Sequence, residues 1–228
     1  MKLSIVIPCY NEIETINKIL KRVEAADIGP VEKEIVIVDD FSTDGTRELL
    51  KSNGIPHKVV FHEKNKGKGY ALRTGFEHVT GDVVIVQDAD LEYDPNDYKQ
   101  LIEPIFRGEC QVMYGSRDRK ENKLHSGAMF YAGGKVVTWV TNILYGSNLT
   151  DEPTCYKVFS RELLQSIPLK CERFEFCPEI TAKVLKRGIK IRELPISYYP
   201  RKVSEGKKIN WKDGVEAIWT LIRYRFTD

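Results

Sequence analysis

The 228-residue chain contains no Cys-x-x-Cys pair, and its five cysteines (Cys9, Cys110, Cys155, Cys171 and Cys177) are odd in number and scattered. Such spacing excludes a disulfide framework and a sequence-evident zinc site, and it favours a reducing, cytoplasmic setting. Histidine is scarce as well. His125 has no second ligand at metal spacing, and His57 and His62 flank a strand-like run where solvent or a sheet edge is the expected neighbour. A strong charge of one sign is also missing. The formal net charge of +2 is too small to argue for nucleic acid or an anionic surface as the main partner, so any basic site has to be local.

Long apolar runs are absent too. The longest, "GAMFYAGGKVVTWVTNILYG" (127–146), is broken by Gly133, Gly134 and Lys135 and makes a poor membrane span. The opening "MKLSIVIPCYNE" enters a strand at once, without the apolar stretch and cleavage site of a signal peptide. No repeat, low-complexity tract or linker interrupts the chain. With 42% apolar and 30% charged residues it has the balance of a globular protein large enough to bury a core. One domain over residues 1–228 is expected.

What is present is an alternation of short β-branched runs with stretches of helical periodicity. "LSIVI" (3–7), "EIVIVDD" (34–40), "HKVVFH" (57–62), "DVVIV" (82–86) and "QVMYGS" (111–116) read as strands. "ETINKILKRVEAA" (14–26), "STDGTRELLKS" (42–52) and "GKGYALRTGFEHV" (67–79) read as helices, the second capped by Ser42 or Thr43 and the third ended by the Gly81-Asp82 turn. Leu101, Ile102, Ile105 and Phe106 form the core face of another helix. A helix around 178–187 and an amphipathic helix over 211–226 follow in the second half. Unalternating strands joined by helices predict an α/β fold: a Rossmann-like, mostly parallel central sheet with helices on both faces.

In such sheets ligands collect beyond the carboxyl ends of the strands. "PCYNE" (8–12), "DDFSTDGT" (39–46) and "QDADLEYD" (87–94) all fall there, so three polar loops converge on one edge. If the chain stays extended past Val86, Asp88, Asp90 and Glu92 face one side. Oxygen donors without neighbouring Cys or His suit Mg2+ or Mn2+; the competing reading is a solvated loop that starts the next helix at Asp94-Pro95. Tyr10 offers a ring face to a base, and Glu12 and Asp40 offer acceptors. "EKNKGKGYALRTG" (63–75) sets Lys64, Lys66, Lys68 and Arg73 among glycines, as a phosphate-facing loop or as a plain basic helix start. Arg117 ends a further strand.

Taken in order, "IVIPCYNE", "EIVIVDDFSTDGT", "NKGKGYALRTG", "GDVVIVQDADLE" and "YGSR" resemble the motifs of family-2 glycosyltransferases of the GT-A fold, most of all the dolichyl-phosphate mannose and glucose synthase group. The resemblance implies a nucleotide-sugar-binding half over 1–117 and an acceptor-binding half over 118–228. It implies that Pro8, Tyr10, Glu12 and Asp40 hold the nucleoside. Asp88, Ala89 and Asp90 match the DxD-type motif, with Asp90 and Glu92 on the metal. Arg201 and Lys207 or Lys208 match basic residues that clamp phosphate, which the loop holding Lys68 could also face, and Arg117 matches one that faces the acceptor or diphosphate. "DEPTCYKVF" (151–159) matches an Asp-x-x-Ser/Thr-Gly-aromatic segment in which Cys155 replaces glycine.

The activity implied is metal-dependent transfer of a hexose, with inversion, from a GDP-mannose or UDP-glucose type donor to a polyprenyl phosphate or a glycan. Asp151 or Glu152 is the candidate base for a hydroxyl acceptor; a phosphate acceptor needs none. A non-catalytic nucleotide-sugar-binding module and a nucleotidyltransferase are the alternatives. The second would need a Gly-rich loop after the first strand, where "PCYNE" stands. Finally, Trp211, Val215, Ile218, Trp219, Ile222 and Phe226 share one face of the last helix, beside Lys212, Arg223 and Arg225. Packing on the core is the first expectation for that stripe. Peripheral contact at the inner face of a membrane is the other.

Overall fold

The computed structural model describes residues 1–52, 54–118, 128–201 and 211–227. Among these, seven strands form one sheet: β1 (Lys2–Cys9), β2 (Glu32–Asp39), β3 (Lys58–Phe61), β4 (Val83–Val86), β5 (Val112–Ser116), β6 (Lys157–Ser160) and β7 (Arg192–Pro195). Their order is β3-β2-β1-β4-β6-β5-β7. β1 runs parallel to β2 and β4, and β3 and β7 extend the sheet in parallel from β2 and β5. β6 alone is antiparallel to its neighbours, inserted between β4 and β5. The sheet therefore takes two strands from beyond residue 117.

Position explains composition. β1 lies in the interior of the sheet, and Leu3, Ile5, Val6 and Ile7 are wholly buried on both of its faces. On one side α1 (Ile16–Ala25) packs Ile16, Ile19, Leu20 and Val23 inward. Gly75 in α3 (Lys68–Phe76) lets that helix lie on the strands, since a Cβ there would meet Val6 Cγ1 at 2.4 Å. Farther along, α4 (Tyr98–Phe106) buries Tyr98, Leu101, Ile102 and Ile105, as its periodicity requires. α5 (Ala128–Tyr145), α7 (Phe176–Lys186) and α8 (Trp211–Phe226) pack together around Val137, Ala182, Leu221 and Tyr224.

Local expectations fail where turn chemistry competes. α2 (Thr46–Lys51) follows Gly45 at φ +99° and has neither Ser42 nor Thr43 as its cap; Asp44 Oδ1 accepts from Thr46 N at 3.0 Å. Ser42 and Thr43 are turned to the first loop, where Ser42 Oγ accepts from Asn11 N and Thr43 N donates to Asn11 Oδ1. α3 stops at Phe76, ahead of the Gly81-Asp82 turn. The short α6 (Arg161–Ser166), directly after β6, had no separate signal.

The stripe on α8 reverses the first expectation. Its buried side is Asp213, Thr220, Leu221 and Tyr224, while Trp211, Val215, Trp219, Ile222 and Phe226 are exposed and only Ile218 is half-buried. A helix can bury one face on its neighbours and keep an unrelated apolar face outside. Core packing uses the face opposite to the aromatic stripe.

Candidate active site

The carboxyl ends of β1, β2 and β4 open into a cleft of about 1390 Å3. Pro8, Tyr10, Glu12, Asp40, Lys68 and Asp88 line it, as do Ala89, Asp90, Glu92, Arg117, Glu152 and Arg201. Of the residues expected at the site, Asp151 lines a smaller neighbouring cavity with Arg117, and Lys207 falls outside the described residues. The basic loop 201–209 is described only at Arg201. The two non-glycine residues with positive φ, among those described, are Asn11 (51°) and Phe41 (66°). Each sits one residue from a cleft-lining side chain, and such backbone strain clusters at functional sites.

Past β4 the chain bends rather than continuing extended, which corrects the single-face picture of the acids. Asp88 turns to Lys68, the first residue of α3, and the two form an ion pair. Burial disfavours both charges, yet their mutual attraction prevails: the ammonium is held above its usual range and the carboxyl below. Asp90 turns instead to Arg201, whose Nη2 donates to Oδ2 at 2.7 Å. The same guanidinium reaches Glu12 Oε2 at 3.3 Å, and the Arg201 backbone N–H donates to Glu92 Oε1 at 2.8 Å. Glu92 also accepts from Tyr198 Oη at 2.9 Å. It thereby ties the segment after β7 to the acidic loop.

Asp90 is the group under stress. Burial, then the charges of Asp88 and Glu92, push its carboxyl up to about 7 despite Arg201. The donor set is all oxygen, which fits a hard divalent cation. No preformed group of three or more His, Cys, Asp or Glu ligands exists among the described residues, and Arg201 is the cation these acids share. A Mg2+ site here would rest on one or two carboxylates completed by phosphate and water, as is usual for that ion.

Two candidate bases have opposite environments. Asp151 is clamped by Arg117: Nε and Nη2 donate to Oδ2 and Oδ1, and the Arg117 backbone N–H donates to Oδ2, all at 2.8 Å. Burial raises its pKa, but the guanidinium overrides this and holds the carboxyl below its usual range. Glu152 is wholly buried. Oε1 accepts from Thr181 Oγ1 at 2.9 Å, Oε2 accepts no hydrogen bond from the described residues, and burial pushes the carboxyl up. Lys157, equally buried, holds the Glu152 carbonyl at 2.7 Å and stays 4.0 Å from Oε1.

Asp40 is engaged by its own fold. Oδ1 accepts from Lys66 N at 2.9 Å and Oδ2 from Gly67 N at 2.7 Å, so the carboxylate holds the loop that starts α3. His62, expected at solvent or a sheet edge, is instead buried behind Asp40 with Nδ1 at 2.7 Å from Oδ1. The available signal was its place just beyond the carboxyl end of a parallel strand, the rule that found the aspartates. Tyr198 was also missed; no motif marks it. Cys155, in place of the glycine of the resembled segment, sits 3.9 Å from Lys68 Nζ and donates its backbone N–H to Tyr93 Oη.

A mostly parallel sheet with one inserted antiparallel strand, and carboxylates collected at its strand ends, defines the GT-A class of α/β fold. A crystal structure of glucosyl-3-phosphoglycerate synthase from Mycobacterium tuberculosis, in complex with Mg2+ and uridine-diphosphate, shares it with a TM-score of 0.75 at 20% identity, covering 100% of this chain and 80% of that one. The sequence profile of glycosyl transferase family 2 matches residues 4–167, and the chain belongs to that family. It is 30% identical over 227 residues to the low-salt glycan biosynthesis hexosyltransferase Agl6 of Haloferax volcanii, covering 97% of this chain and 52% of that protein. It is 31% identical over 212 residues to the dolichol-phosphate mannosyltransferase of Pyrococcus furiosus, covering 91% of this chain and 59% of the relative. The chain thus spans little more than half the length of these two relatives.

Proposed function

We propose that this chain is the catalytic domain of a metal-dependent, inverting hexosyltransferase that moves a sugar from a GDP-mannose or UDP-glucose type donor to a polyprenyl phosphate. The observation that carries the acceptor reading is the outer face of α5 and α8. Val136, Trp139 and Ile143 on α5 and Trp211, Val215, Trp219, Ile222 and Phe226 on α8 are all exposed. Val136, Trp211 and Val215 also line the cleft, so the apolar surface is continuous with the site. Lys212, Arg223 and Arg225 flank the stripe on α8. Aromatic residues with flanking cations suit a helix lying in an anionic membrane interface. No helix among the described residues is long and apolar enough to cross a membrane, so the contact proposed is peripheral, at a cytoplasmic face.

In this reading the donor diphosphate lies between Lys68 and Arg201, the cations among the described residues that pair with the acidic loop. Both sit where negative charge grows as the sugar leaves, and such fixed charge acts most strongly on a transition state. A divalent cation held by Asp90, with Asp88 beside it, would supply further positive charge at that leaving group. Glu92 serves mainly to carry Tyr198 and Arg201 into the site. A phosphate acceptor arrives as an anion and needs no base, which agrees with an Asp151 carboxylate committed to Arg117. Pro8, Tyr10 and Asp40 form the end of the cleft assigned to the nucleoside.

Anionic vesicles containing polyprenyl phosphate, a panel of nucleotide sugars and Mn2+ test this reading. Lipid-extractable sugar is expected, abolished by Asp90→Asn in a protein with unchanged melting. Co-sedimentation should weaken as salt rises and on Trp211→Ala with Trp219→Ala. A protein that ignores vesicles and glycosylates only soluble acceptors refutes the lipid reading. A stripe occupied by a second copy would show as a dimer in solution.

A further inference from the structure

His62 lies outside the groups assigned above, yet it backs the site from within. We infer that His62 is a positioning residue for nucleotide binding, acting through Asp40 on the loop 65–68; this rests on the nucleotide-sugar reading above. The ring is 6% exposed and bridges two elements. Nδ1 is 2.7 Å from Asp40 Oδ1, and Nε2 is 3.0 Å from Thr74 Oγ1 in the last turn of α3. Because the carboxylate only accepts, Nδ1 carries the hydrogen in this contact. The edge of the imidazole also packs on Tyr70, with ring centroids 5.3 Å apart.

What His62 holds is an acceptor with little freedom of its own. Oδ1 receives both His62 and the Lys66 backbone N–H, while Oδ2 receives the Gly67 N–H. A carboxylate oxygen has two lone pairs, and among the described residues Gly67 N–H is the donor to Oδ2, which leaves one acceptor position on a residue that lines the cleft. The geometry assigns that position to a ligand donor such as a base N–H or a ribose hydroxyl. The same carboxylate sets Lys66 and Gly67 immediately before Lys68, which pairs with Asp88. One buried imidazole therefore fixes, through one carboxylate, both the nucleoside acceptor and the entry to the phosphate-side lysine. A ring free to turn would release Asp40 to pair with the loop alone.

Calorimetric binding of UDP and GDP with Mn2+ tests this without turnover. His62→Phe keeps the packing against Tyr70 and loses both hydrogen bonds. His62→Asn keeps a donor near the Nδ1 position. Loss of a hydrogen bond to a charged group predicts binding weakened about tenfold or more in His62→Phe, and within about threefold of the parent in His62→Asn. In steady state the loss should fall on KM for the donor rather than on kcat. Equal binding by His62→Phe and the parent overturns the inference, as does His62→Asn failing as badly as His62→Phe while both melt like the parent. If the parent itself binds neither nucleotide, the nucleotide reading fails first, and this one with it.

Discussion

Replacing Arg117 by Met should unfold the protein more readily before it says anything about catalysis. The guanidinium makes two side-chain hydrogen bonds to Asp151 and the backbone adds a third. The methionine variant keeps only the backbone one and strands a carboxylate whose side chain is 10% exposed. Removing one partner of a buried pair costs about 3–5 kcal/mol. Arg117 is itself 24% exposed, so solvent already screens part of the pair, and about 2–3 kcal/mol is the expected loss. For a chain of this length that is roughly 5–10 °C in melting temperature. Adding Asp151→Leu removes the stranded charge and should return stability to within about 1 kcal/mol of the parent. Thermal melting of the two singles and the double gives the coupling. If Arg117→Met melts within about 2 °C of the parent, or the double is no better than that single, the clamp is not what holds the Asp151 loop.

Two further outcomes follow from local geometry. Gly67→Ala should disable the donor site, since φ is +92° and the new Cβ would meet Glu172 O at 2.4 Å; weakened UDP or GDP binding with an intact sheet by circular dichroism checks it. Glu34 supplies an acid limit to stability. Burial raises its carboxyl, but hydrogen bonds from Ser4 and Thr80 and the Lys2 charge outweigh burial and lower it to about 2. A depressed carboxyl stabilises the fold above its unfolded value near 4.5, and that contribution is lost as pH falls from there towards about 2. The full shift corresponds to about 3 kcal/mol, reduced to about 1–2 by solvent at a partly exposed edge. Glu34→Gln should therefore lower the melting temperature at neutral pH and converge with the parent near pH 2; a constant difference across the range would refute it.

The central strands β1, β2 and β4 were legible because they are buried on both faces and so read as unbroken β-branched runs, such as Val83–Val86 and Ile35–Val38, whereas β6 and the half-exposed β7 carry no such run. The site's location followed from strand polarity alone, which put Asp40, Asp88 and Asp90 at one edge. Pairing was not legible. That Asp88 would choose Lys68 and Asp90 would choose Arg201, 111 residues away, depends on a bend after β4 and on the return of the chain after β7. Periodicity likewise marked the α8 stripe but not its direction, because Leu221 and Tyr224 supply a second, less conspicuous apolar side. His62 was hidden for the same reason: burial is a property of what folds over a residue.

Charge accounting at the cleft yields the last prediction. Among the described residues, the ion pairs of the acidic loop set four carboxylates, Glu12, Asp88, Asp90 and Glu92, against two cations, Lys68 and Arg201. Fully ionised, these paired groups sum to two net negative charges at the acidic loop. A nucleoside diphosphate adds more, and like charges partly withdrawn from bulk water cost more than in water. One divalent cation cancels the excess of two. Donor affinity should then depend on the ion, with UDP or GDP binding at least about tenfold tighter in Mn2+ than in chelator. Asp90→Asn removes one carboxylate charge and shortens the donor set, so it should shrink that difference; monovalent salt should not replace Mn2+ at equal ionic strength. Calorimetry on both proteins, with and without chelator, measures each term. Equal nucleotide affinity in Mn2+ and in chelator would show that Lys68 and Arg201 suffice, and that the acids are there to hold the C-terminal segment rather than a metal.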